Sequence, residues 1–110
     1  MNHEQFAASI KALHAPLQRQ QARTNAMGEK YGAHSKEYKS EVRKEANLAL
    51  SMVAEEHKIW CQFCIFLFTQ AIQSGKPKEK ILAEIIETGK SLEESKKPDW
   101  RNVYKSILSL

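Results

Sequence analysis

Residues 35–75 read SKEYKSEVRKEANLALSMVAEEHKIWCQFCIFLFTQAIQSG, and no proline or glycine interrupts them before Gly75. Ser35 suits a helix N-cap, because its hydroxyl can accept from a free backbone N–H at the helix start. The stretch therefore predicts one long helix over about 35–74. In its first half Tyr38, Val42, Ala46, Ala49 and Val53 recur at intervals of four, four, three and four, the spacing of a buried stripe. Its second half changes character. From Ile59 to Phe68 the side chains are apolar on nearly every face, and such a helix must be covered on every face. The cover comes either from neighbouring helices or from another subunit.

Working outward, the N-terminal side predicts a helix from about Asn2 to Met27. Phe6, Ile10, Leu13 and Leu17 fall on one stripe. Pro16 lies inside this segment and is expected to kink the helix or restart it near Ala15. Beyond Leu17 the stripe fades into the polar run Gln18 to Asn25. Gly28 and Gly32 are expected to bracket a turn around Glu29-Lys30-Tyr31.

On the C-terminal side Pro77 suits the first turn of a helix, where a missing N–H costs nothing. Ile81, Leu82, Ile85 and Ile86 form its expected buried stripe, with Leu92 extending it past Gly89. Lys96-Lys97-Pro98 breaks the chain. Asp99 then caps a last helix, with Trp100, Val103, Tyr104, Ile107 and Leu108 facing inward. Strand signals are almost absent. The fold class is all-α: a single-domain helical bundle of about four helices over residues 1–110, with one long central helix at about 35–74.

The composition agrees. With 42% apolar residues the chain is close to the globular average, which argues against disorder throughout. The net charge of +4 is uneven. Residues 1–44 hold eight Lys/Arg against four Glu, residues 45–75 one against three, and residues 76–110 eight against six Asp/Glu. The protein is basic, but mildly so for a nucleic-acid binder. Two cysteines do not make a disulfide scaffold. The first residues lack the basic flank and apolar run of a signal peptide, and the stretch from Ile59 to Ile72 is too short to span a bilayer. A cytoplasmic protein with reduced thiols is expected.

Chemistry has one candidate, the Cys61-Gln62-Phe63-Cys64 pair with His57 four residues earlier. All three fall within one narrow stripe of a helix. They suit zinc if a fourth ligand comes from His14, His34 or another subunit, and a Cys-x-x-Cys can also serve redox chemistry. Redox use in a thioredoxin-like context needs a helix N-terminus, and this pair lies deep inside a helix. Apolar surroundings raise a thiol pKa rather than lowering it. The all-α peroxidase-partner family with a Cys-x-x-Cys expects a His four residues after the second cysteine, where this chain has Phe68. The cysteines are read as structural core, and no metal or cofactor is expected. Glu55-Glu56-His57 point in different directions on a helix and make no acid–base site. No phosphate loop is present.

A nucleic-acid reading rests on residues 18–44. Arg19 and Arg23 share a helix face, and Lys36, Lys39, Arg43 and Lys44 continue the positive surface. Gln20, Gln21, Thr24 and Asn25 are residue types that contact bases or phosphates. Tyr31 and Tyr38 are available for stacking. Glu29, Glu37 and Glu41 dilute the charge.

Trp100-Arg101-Asn102-Val103-Tyr104-Lys105, followed by Ile107 and Leu108, resembles the Trp-Arg-x-Val-Tyr-Lys helix of ENTH domains, which bind phosphoinositide membranes and endocytic proteins. The likeness covers about a tenth of the chain. That family's N-terminal lipid-binding segment has no counterpart in this sequence, and no site residue is carried over.

The reading that follows is a small non-enzymatic protein–protein interaction module (an adaptor, inhibitor, chaperone or regulator) acting through an apolar helical surface. The expected interface residues are Trp60, Phe63, Phe66 and Phe68, because a small bundle has too few large side chains to cover them all, and exposed apolar patches mark interfaces. A homodimer or larger homo-oligomer is expected, with no membrane partner. The alternative is a nucleic-acid-binding accessory protein using the basic 18–44 segment, and a further one is a thiol redox protein using Cys61 and Cys64.

Overall fold

The computed structural model describes the backbone of residues 1–93 and 99–110 and the side chains of residues 1–90 and 100–110. Four α-helices follow one another among them: α1 (His3–Tyr31), α2 (Lys36–Gln73), α3 (Lys78–Glu93) and α4 (Asp99–Leu108). The all-α expectation holds, and α2 spans nearly the stretch read from the sequence. The expected Leu92 contact, the break at Lys96-Lys97-Pro98 and the Asp99 cap lie outside the described residues.

The helix ends are set by local chemistry. Asn2 and Gln5 cap α1 reciprocally: the Gln5 N–H donates to Asn2 Oδ1 at 2.8 Å, and the Asn2 N–H donates to Gln5 Oε1 at 2.9 Å. This satisfies two donors that a helix start leaves open. At the other end Gly32, with φ of +89°, sends its N–H to the Gly28 carbonyl at 2.9 Å. Ser35 caps α2 as expected, accepting from the Tyr38 N–H at 3.1 Å. Gly75, with φ of +103°, ends α2. Its N–H reaches the Ile72 carbonyl and the Lys76 N–H reaches that of Ala71, both at 3.0 Å, the paired closure of a Schellman motif. The Pro77 carbonyl then accepts from Ile81 at 3.3 Å and opens α3.

Two features of α1 differ from a restart at Pro16 and a turn before Gly32. The helix runs through Pro16 without restarting, although an interior proline costs about 3 kcal/mol. Leu13 and Leu17, on one stripe to either side of it, are half-buried. The expected turn at Glu29-Lys30-Tyr31 is helical, and Gly28 lies inside α1. Gly28 gives room rather than a break: a Cβ there would stand 3.0 Å from the Tyr38 ring.

The chain forms two compact units. One comprises residues 7–56; the other comprises residues 1–6 and 57–110. The first is an antiparallel hairpin of α1 and the first half of α2, in which Gly28 meets Tyr38, Gln20 meets Glu41 and His14 lies 3.5 Å from Glu56. Its inner face corrects the expected stripe. Tyr38 and Ala49 of that stripe are half-buried, but Val42, Ala46 and Val53 are exposed, while Glu41, Glu45, Leu48 and Met52 turn inward. The inward set recurs at four, three and four residues, the pattern of a two-helix seam, and one of the α1 residues facing it is the polar Gln20.

The second unit holds the aliphatic core. Ile81 and Ile85 of α3, Val103 and Ile107 of α4, and Cys61 of α2 are buried together, with Ile65, Phe68, Leu82, Trp100 and Tyr104 packed around them. Ile86 and Leu108, expected inside, are exposed. The buried stripe of α3 is therefore narrower than its aliphatic content. Lys78 donates to the Leu108 carbonyl at 2.8 Å, tying the start of α3 to the open end of α4, where a cation is favoured.

Candidate functional site

The four expected interface residues do not share one environment. Phe63 is buried. It stacks on Phe6 with ring centroids 4.3 Å apart and meets the edge of His3 at 5.1 Å. Phe66 is half-buried beside His3 and Phe63. Phe68 packs against the aliphatic core. Trp60 alone stays open at 46% exposure, with Phe6 against one edge at 4.7 Å. The cover that the sequence reading did not assign is thus the first turn of α1, through Phe6 and His3.

Leu67, which the sequence reading passed over, is exposed at 37%. It lies seven residues from Trp60, two helical turns along the same face. In the hairpin unit the α2 residues Leu50 (72% exposed) and Val53 are likewise open. The signal that finds them is the same four-and-three spacing, read as an outer face rather than an inner one.

The basic candidates are all exposed: Arg19, Arg23, Lys36, Lys39, Arg43 and Lys44. Two of them have structural work. Arg23 Nη2 donates to Gln20 Oε1 at 2.9 Å, and Lys44 Nζ donates to Glu41 Oε1 at 3.1 Å. Gln20 and Thr24, read from the sequence as groups for bases or phosphates, are buried at 4% and 3% exposure. Gln20 Nε2 donates to Glu41 Oε2 at 2.6 Å, and Thr24 Oγ1 donates to the Gln20 carbonyl at 2.9 Å. They form a polar layer inside the hairpin. The hydrogen bond from Gln20, then that from Lys44, holds the Glu41 carboxyl below its usual 4.5 despite the opposing effect of burial. Tyr31 is exposed, with Lys30 Nζ 5.2 Å from its ring centre.

The cysteine stripe is real but divided. Cys61 is in the core, with its Sγ 3.7 Å from His57 Nε2, while Cys64 is half-buried. Burial pushes the Cys64 thiol up from its usual 9.0, away from the thiolate that redox chemistry and metal binding need. Among the described residues no three His, Cys, Asp or Glu side chains converge as a metal site. No helix among them is long and apolar enough to cross a membrane.

Set against known proteins, the chain matches no family model, no curated protein and no solved structure.

Proposed function

We propose that this protein is a non-enzymatic protein–protein interaction module whose partner, in the first instance, is a second copy of itself. The observation that carries the reading is the pair Trp60 and Leu67, large apolar side chains left open on one face of α2. Taking a large apolar side chain fully out of water stabilises by roughly 1.5–3 kcal/mol, and at 46% and 37% exposure this pair has roughly a third to a half of that gain available. An open tryptophan beside an aliphatic neighbour is the residue chemistry of interface anchors. Symmetric pairing of one patch with its own copy is the commonest way a chain closes such a surface.

Sedimentation velocity across the micromolar range tests it. The wild-type chain should dimerise, and Leu67→Glu should be monomeric with unchanged helix content. A monomeric wild type that binds no apolar dye overturns the reading.

The second reading, a nucleic-acid accessory protein, is favoured by the open cations Arg19, Lys36, Lys39 and Arg43, none of which has an ion-pair partner among the described residues. It requires binding to duplex or single-stranded probes that weakens steeply with salt, because phosphate contacts release counterions. A complex indifferent to salt, or none at all, removes it.

A further inference from the structure

Residues from Ile85 to Lys90 of α3 and from Trp100 to Lys105 of α4 line an open pocket of about 410 Å³. Ile85, Ile86, Gly89, Trp100 and Tyr104 give it an apolar wall, and Lys90, Arg101 and Lys105 are the charged residues that line it. Among the described residues no carboxylate lines it. Its size falls within the range of small-molecule sites, which join an apolar wall to a few polar groups.

Two details separate this pocket from an ordinary surface dent. Trp100 lines it, and its indole Nε1–H is buried without an acceptor among the described residues. A buried donor left unpaired costs about 1–3 kcal/mol, a cost relieved by a ligand that shifts the ring and offers it an oxygen. Gly89 lies within α3, where glycine is about 1 kcal/mol worse than alanine. A Cβ at that position would meet nothing within 4 Å, so close packing does not demand glycine there. What the missing side chain leaves is the open space of the pocket.

We propose that this pocket binds a small amphipathic carboxylate, of the class of a medium-chain fatty acid. The acyl chain lies against Ile85, Ile86 and Tyr104. The carboxylate faces the cationic rim formed by Lys90 and Lys105, and one of its oxygens accepts from Trp100 once the ring turns to expose its N–H. A neutral chain of equal length fills the same wall but leaves the cations without a counter-charge. A free anion without a chain gains nothing from the wall.

Calorimetric titration of the full-length protein with decanoate, and with decanol as the neutral control, tests this. The Trp100 indole N–H resonance is followed in parallel, and Trp60→Phe distinguishes it from the second indole. Decanoate should bind at one saturable site, at least tenfold more tightly than decanol, and move the Trp100 resonance. Gly89→Leu should fill the space and lower decanoate affinity at least tenfold with helix content unchanged. Lys90→Glu combined with Lys105→Glu should do the same while leaving decanol unaffected. Gly89→Ala is the milder variant should leucine disturb folding, and it should weaken binding measurably. Equal affinity for decanol, absence of a saturable site, or binding indifferent to every Gly89 substitution overturns the proposal.

Discussion

The two compact units are each held together by opposite chemistry. In the unit of residues 1–6 and 57–110 the centre is aliphatic: Ile81, Ile85, Val103 and Ile107 are almost wholly out of water. In the unit of residues 7–56 the buried positions include Gln20 and Thr24, and Glu41 answers them across the hairpin. Aliphatic burial is strong and non-directional. A buried polar layer contributes little net stability, but it penalises every register in which its donors lose their acceptors. The chain thus uses its short helices for strength and its long hairpin for alignment.

The largest expected effect breaks the aliphatic side. Ile107→Ala should cost about 2–5 kcal/mol, the range for removing a branched side chain from a close-packed site. Urea denaturation measures it; a loss below about 1 kcal/mol would mean that the α3–α4 core is loosely packed.

A middle-sized effect is expected at the polar layer. Gln20→Ala should cost about 1–3 kcal/mol, since it removes the donor to Glu41 and the acceptor of Arg23. The paired change Gln20→Leu with Glu41→Leu should restore most of that stability, because neither partner is then left unsatisfied. If the pair is as damaged as the single variant, the layer does more than align the helices.

The smallest effect is a dependence on pH. The folded protein holds the Glu41 carboxyl below its usual 4.5, chiefly through Gln20. Its contribution is therefore complete above that value and is lost as pH falls through the lower, folded one. The stability gap between the wild type and Glu41→Gln should narrow as pH is lowered from neutral to below 4.5. A gap constant over that interval would show that the carboxylate charge is not what Gln20 and Lys44 recognise.

Much of this was legible because it is local. Ser35 and Gly75 bound α2 in the sequence as they do in the fold, since caps and left-handed turns depend on a few neighbouring residues. The two glycines of the first connection show where local reading stops. Gly28 and Gly32 look alike in the sequence, yet only Gly32 adopts positive φ, while Gly28 is shaped by Tyr38 from the facing helix. The candidate surfaces divide the same way. Residues 59–68 announced an apolar excess, but which of their side chains stayed open depended on Phe6 and His3, more than fifty residues away in the chain.

The sequence by itself determined helical content, the length of α2, its caps and the presence of more large apolar side chains than a solvent-facing helix carries. Each follows from periodicity and backbone chemistry within a few turns. Only the tertiary structure decided which face of α2 turned inward. Period alone admits both Val42 with Val53 and Glu41 with Met52, two stripes that differ by a single residue's rotation. The choice went to the stripe carrying Glu41, which lies opposite the buried Gln20 donor. A buried donor without an acceptor is more costly than a valine left in water.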